Sequence, residues 1–160
     1  MAYPTLAVAN AFIEKALANE LSDLTPMKLQ KLMFYAQSWH LKIYDEPLID
    51  DFFSKWQYGP VIPSLYHEVK SYGSSQINSL ISNLMHTPQG VMIATPNVPK
   101  QDFKTRQLID KIVSVYGPLR GTQLSYLTHQ PGTAWSRTQD YSSVIDNSLL
   151  KECICLLYTS

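Results

Sequence analysis

A chain of 160 residues that is 45% hydrophobic and 16% charged holds enough apolar material for one ordinary core, which excludes a disordered protein. Thirteen basic residues balance thirteen acidic ones, so no overall charge argues for nucleic acid or an anionic membrane as partner. No run approaches the roughly 18 apolar residues of a membrane-spanning helix, and no membrane association is expected.

The first twenty residues lack a basic start and carry Glu14 and Lys15 within their apolar pattern, unlike a signal peptide. From Thr5 to about Ala18, the residues Ala9, Phe12, Ile13 and Ala16 recur at helical spacing, with Thr5 as N-cap after Pro4. A helix with one buried face is predicted. A second helix starts more clearly, with Thr25 as N-cap, Pro26 at the first turn, and Leu29, Leu32, Met33, Ala36 and Ile43 on one stripe. It is expected to be central. Lys28, Lys31, Tyr35 and Ser38 fall on the opposite stripe and read as a basic and aromatic surface strip.

Between Asp45 and Pro60 the helical period disappears among turn formers and aromatics, and short extended pieces are predicted. Gly59-Pro60 punctuates the end. Val61 to Tyr72 resumes a helix, with Leu65, Val69 and Tyr72 on one face and Gly73 as its stop. Ile77, Leu80, Ile81 and Leu84 then fit a short helix, and Gly90 to Thr95 fits a brief strand. A helix is predicted from about Asp102 to Tyr116, a short one around Thr122 to Leu127, and a last one from Ser148 to about Tyr158, with the turn Thr128 to Trp135 between the last two. No repeat or linker interrupts the chain, so a single mainly helical domain over residues 1–160 with a small β element is expected.

Few residues combine into a recognisable chemistry. His40, His67, His86 and His129 are scattered without metal-ligand spacing, so no metal is expected; no phosphate-binding glycine motif occurs and no cofactor is expected. No serine sits in a nucleophile elbow. Thr128 and His129 are adjacent, which suits closing a helix end and setting Trp135 against the core better than it suits a catalytic pair. Asp45-Glu46 and Asp50-Asp51 offer paired carboxylates, but in turns they read as capping or solvated charges. Cys153 and Cys155 are two residues apart in an apolar stretch, poorly placed to pair, so a reduced cytoplasmic setting is the simpler reading. What remains is surface recognition. Lys28, Lys31 and Tyr35 beside Trp56-Gln57-Tyr58-Gly59-Pro60 would join long cations to rigid aromatics, with Trp56 read as core packing and Tyr58 open between core and contact.

The segments LTPMKLQKLMFYAQSWHL, residues 24–41, and FFSKWQYGPVIPSLYHEVKSYG, residues 52–73, closely resemble the Panacea domain, found in phage-associated proteins and in SocA-type antitoxins. Leu127 to Trp135 resembles that family's second signature. Met33 stands where the family usually has leucine, and Ala134 where a proline often precedes the tryptophan. The resemblance implies a bacterial or prophage antitoxin, without enzymatic activity, that binds its cognate protein toxin; in one branch the domain acts as an adaptor delivering the toxin to a AAA+ protease. By position, Lys28, Gln30, Lys31 and Tyr35, with Tyr58, become the candidate contact residues; Trp56, Gly59, Pro60, Thr128, His129 and Trp135 match as structural motif. Two other readings compete: a hydrolase using His129 with a carboxylate from residues 45–51, and a DNA-binding regulator, for which neither a charge imbalance nor a helix-turn-helix speaks.

Overall fold

Thr25 and Pro26 begin the longest helix, α2 (Pro26–Tyr44): the Thr25 hydroxyl accepts the Lys28 N–H at 3.3 Å, and Asp45 ends the helix in a left-handed conformation. Everything else is arranged around it. In the computed structural model, which describes residues 1–155, α2 is packed against α1 (Thr5–Leu17), the hairpin strand β2 (Gly59–Val61), α3 (Pro63–Val69), α4 (Phe103–Tyr116), α5 (Gly121–Thr128) and α7 (Asn147–Cys153). A helix surrounded on this many sides buries polar as well as apolar faces. Leu29, Leu32, Met33 and Ala36 meet Phe12 of α1, Ile109 and Ile112 of α4 and Leu124 of α5 in one core, where each of the side chains larger than alanine contributes roughly 1.5–3 kcal/mol on full burial. Ile43, near the end of the predicted stripe, is exposed.

The β element is small. Strand β1 (Phe53–Trp56) pairs antiparallel with β2, Trp56 opposite Gly59, and on its other edge with β5 (Val144–Ile145). A second, separate ribbon joins β3 (Asn83–Thr87) to β4 (Gly90–Ala94), also antiparallel. The remaining helix, α6 (Ala134–Arg137), is one turn started by Thr133, whose hydroxyl accepts the Ser136 N–H. The mainly helical fold with a minor β element thus stands as expected.

Three local readings are corrected. Thr5 does not cap α1, because Pro4 occupies that position and the Thr5 hydroxyl donates to Asp51 at 2.8 Å. The segment 77–84 is not helical. Asn10 of α1 accepts the Ile81 N–H at 2.7 Å and donates to the Ile81 carbonyl at 2.8 Å, which takes both backbone groups away from a helix, and Leu84 belongs to β3. The last helix ends at Cys153, where Ile154 turns to an extended conformation and enters the core; the rest of its predicted span, residues 156–158, lies outside the described residues.

Candidate functional site

The turn between β1 and β2 exposes a run of backbone carbonyls to its neighbours, and each finds a side chain from a different element. Trp135 donates from its indole to the Trp56 carbonyl at 2.8 Å, His129 Nε2 lies 2.8 Å from the Gln57 carbonyl, and the Ser125 hydroxyl donates to the Tyr58 carbonyl at 2.6 Å. From α2, the Gln30 amide brackets Ile62, donating to its carbonyl at 3.1 Å and accepting its N–H at 2.9 Å. Lys31 reaches the Pro60 carbonyl at 3.4 Å. The segments 24–73 and 127–135 are therefore locked together, the tips of one serving the backbone of the other. Gly59 makes the closure feasible: its φ is +120°, and a Cβ there would stand 2.6 Å from Lys31 Cε and 2.9 Å from Thr128 Oγ1.

This geometry corrects the predicted surface strip. Lys28, Gln30, Lys31, Tyr35 and Ser38 are all buried, because α2 has neighbours on the face that helical spacing assigned to solvent. Lys28 donates to the carbonyls of Ser22 and Gly117, both at 2.6 Å, tying the start of α2 to the end of α4. Burial lowers its pKa, opposed by the nearby Asp23 charge. Tyr35 stacks on Tyr116 at 3.9 Å between centroids, and burial raises the pKa of both, that of Tyr116 to about 12. Lys31 is brought down to about 7 by burial. Tyr58 alone of the candidate contacts is open to solvent, at 63% exposure.

Trp56 is half-buried and packs edge-on against Tyr66, while Gly59, Pro60, Thr128 and Trp135 are buried. Thr128 closes its own helix by donating to the Ser125 carbonyl at 2.7 Å. His129 does not meet the carboxylates of residues 45–51. Its two ring nitrogens lie 2.6 Å and 2.8 Å from the carbonyls of Ser125 and Gln57, so the ring is held by backbone and not oriented by a carboxylate, which removes the His129–carboxylate pair that the hydrolase reading required. The carboxylates serve the fold instead: Asp51 accepts from Thr5, from Ser64 at 2.6 Å and from the Phe52 N–H, and Asp45 pairs with Lys151 at 2.6 Å. Among the described residues no three His, Cys, Asp or Glu side chains converge as metal ligands would.

Beside the interlock lies a groove of about 500 Å³. Gln30 and Lys31 line it from α2, Lys55, Trp56 and Tyr58 from the hairpin, Tyr66 and Val69 from α3, and Tyr141 from the loop before β5. The Lys55 ammonium donates to the Thr138 carbonyl at 2.6 Å and lies over the rings of Trp135 and Tyr141. The structure thus gathers Gln30, Lys31, Trp56 and Tyr58 at one site and sends Lys28 and Tyr35 elsewhere. Sequence reading missed Lys55, Tyr66, Ser125 and Tyr141. Ser125 had a signal, since it stands three residues before Thr128 on one helix face; Tyr141 had none.

A second surface was not foreseen at all. On the β3–β4 ribbon, Leu84, Met85, Val91, Met92 and Ile93 are each between 51% and 74% exposed, and both faces of the ribbon are open.

A sequence model of the family described as "Antitoxin SocA-like, Panacea domain" matches residues 29–136, a span that holds the interlock and the ribbon. The chain is similar to a protein named Antitoxin SocA from Caulobacter vibrioides (strain NA1000 / CB15N), 28% identical over 130 residues, covering 81% of this chain. It spans 66% of that relative's length. No solved structure matches. With more than half of its residues inside the family match, the chain belongs to the SocA-like antitoxins with a Panacea domain.

Proposed function

We propose that this chain is a non-enzymatic antitoxin that neutralises a protein toxin by direct contact. Family membership supports the antitoxin role, and the exposed β3–β4 ribbon is the observation that supports contact. Leu84, Val91 and Ile93 share one face of the ribbon, with Met85 and Met92 on the other, and exposed apolar clusters of this kind mark protein-binding surfaces. The buried residues of α2 then act indirectly, by holding the frame that presents the ribbon and the groove.

Copurification with the protein encoded by the neighbouring gene tests this reading. The double substitution Val91→Asp and Ile93→Asp should abolish capture while leaving thermal stability nearly unchanged, since both side chains are solvent-exposed. Undiminished capture would remove the ribbon from the account. The lifetime of the captured protein in cells separates masking, which leaves it unchanged, from delivery to a AAA+ protease, which shortens it.

A further inference from the structure

Three lysines of this fold are buried, and they are not equally served. Lys28 has two carbonyls at 2.6 Å, and Lys55 has one at 2.6 Å with two aromatic faces above it. Lys31, 1% exposed, has a single contact of 3.4 Å for an ammonium that carries three donors. This short-changed amine lines the groove. The groove holds a second lysine, Lys55, and no carboxylate, so its charge calls for an anionic occupant. Its walls are apolar and aromatic, with Trp56, Tyr58 and Tyr66 partly or largely exposed, and its volume suits a bound side chain and its neighbours. Tyr58 and Gly73 border it and are both exposed, so a chain laid across has an exit past either.

We propose that this groove receives an internal peptide segment of a protein partner, with an aspartate or glutamate side chain set on Lys31 and an adjacent aromatic residue against Trp56 and Tyr66. The inference rests on the direct-contact reading above, since a toxin is the partner such a site would serve. Burial holds the Lys31 amine near a pKa of 7 when the groove is empty, so pairing with a carboxylate draws a proton onto it. Affinity must then fall as pH rises through 7. If only the ammonium form binds, the change between pH 6 and pH 8 is about tenfold. The other titratable groups around this wall are Lys55, Tyr58, Tyr66 and Tyr141, with His129 beside Thr128; none is a carboxylate.

A random peptide library displayed on phage through the peptides' C-termini, so that no free chain end is offered, tests the site on the intact chain. Enriched clones should share an Asp or Glu next to an aromatic residue. A synthetic peptide of that consensus should bind about tenfold tighter at pH 6 than at pH 8, equally well with its C-terminus amidated. Lys31→Met, or Asn or Gln in place of the peptide's acid, should weaken binding at least tenfold and flatten the pH dependence. Tyr58→Ser, at an exposed position that the core does not need, provides a second weakened variant should Lys31→Met misfold. No enrichment, a consensus without an acid, a need for a free C-terminus, or equal binding by Lys31→Met would each overturn the proposal; a pH dependence that survives Lys31→Met would assign it to a group other than Lys31 and overturn it too. Rescue of a toxic neighbouring protein by Lys31→Met at wild-type strength would sink the groove and leave the antitoxin reading standing. Absence of rescue by the wild type, with the peptide result intact, would do the reverse.

Discussion

Gln30 and Lys31 are neighbours on α2, both buried, and opposite in how well their polar atoms are served. Gln30 satisfies two backbone groups of Ile62, so Gln30→Ala strands a buried N–H and a buried carbonyl at a cost of about 2–4 kcal/mol, readable as a lower urea midpoint with unchanged slope. Lys31 should behave differently. A buried ammonium with one long hydrogen bond is a poor investment of desolvation, so Lys31→Met should be as stable as the wild type or more so at neutral pH. The sign with pH follows from a folded-state pKa of about 7 against the ordinary 10.5. Between those values the unfolded chain binds more protons than the folded one, so wild-type stability gains on that of the methionine variant as pH rises. The gap between them should close by about 1.4 kcal/mol for each pH unit from 7.5 to 9.5, measured by denaturation of both proteins in parallel. A gap that does not move with pH would show that Lys31 keeps its proton in the fold.

At the scale of elements, the strongest local signals were sufficient where they concerned termini and apolar stripes. Thr25 and Pro26 mark the start of α2 in sequence and in structure, and the β1–β2 turn lies where the helical period disappears. Helical spacing, however, assigns polar residues to solvent, and it has no knowledge of what packs on the second face. Lys28, Gln30, Lys31 and Tyr35 were misplaced for that reason: their partners are carbonyls and rings from segments far along the chain. The groove was half legible for the same reason, since Trp56 and Tyr58 were marked by their turn while Tyr66 and Tyr141 meet them only through the fold. The segment 77–84 failed in the opposite way. Its spacing fits a helix, but Asn10 holds both backbone groups of Ile81 and the following residues pair as a ribbon. Asn10→Ala should therefore release this segment: about 2 kcal/mol or more of stability lost, and faster hydrogen exchange at the Ile81 amide than at amides of α2. Unchanged exchange at Ile81 would mean that something other than Asn10 holds the segment extended.

Viewed whole, the molecule keeps its charges few and balanced and gathers five of its exposed large apolar side chains on one ribbon. Ion pairs from Arg106 to Glu14 at 3.1 Å and from Lys15 to Asp110 at 2.5 Å join α1 to α4, on the surface and of modest worth. No helix among the described residues is long and apolar enough to cross a membrane. On the β3–β4 ribbon five large apolar side chains are each more than half exposed. Contact through such a surface depends weakly on salt, unlike the steep dependence of phosphate-backbone binding. The central claim is that this chain neutralises a toxic protein by holding it. Coexpression with the neighbouring gene's product, with growth and copurification read from the same cultures, tests it most directly. The account predicts growth arrest without this chain, rescue and a stable complex with it, and loss of both with Val91→Asp and Ile93→Asp; rescue without any complex, or no arrest to rescue, would contradict it.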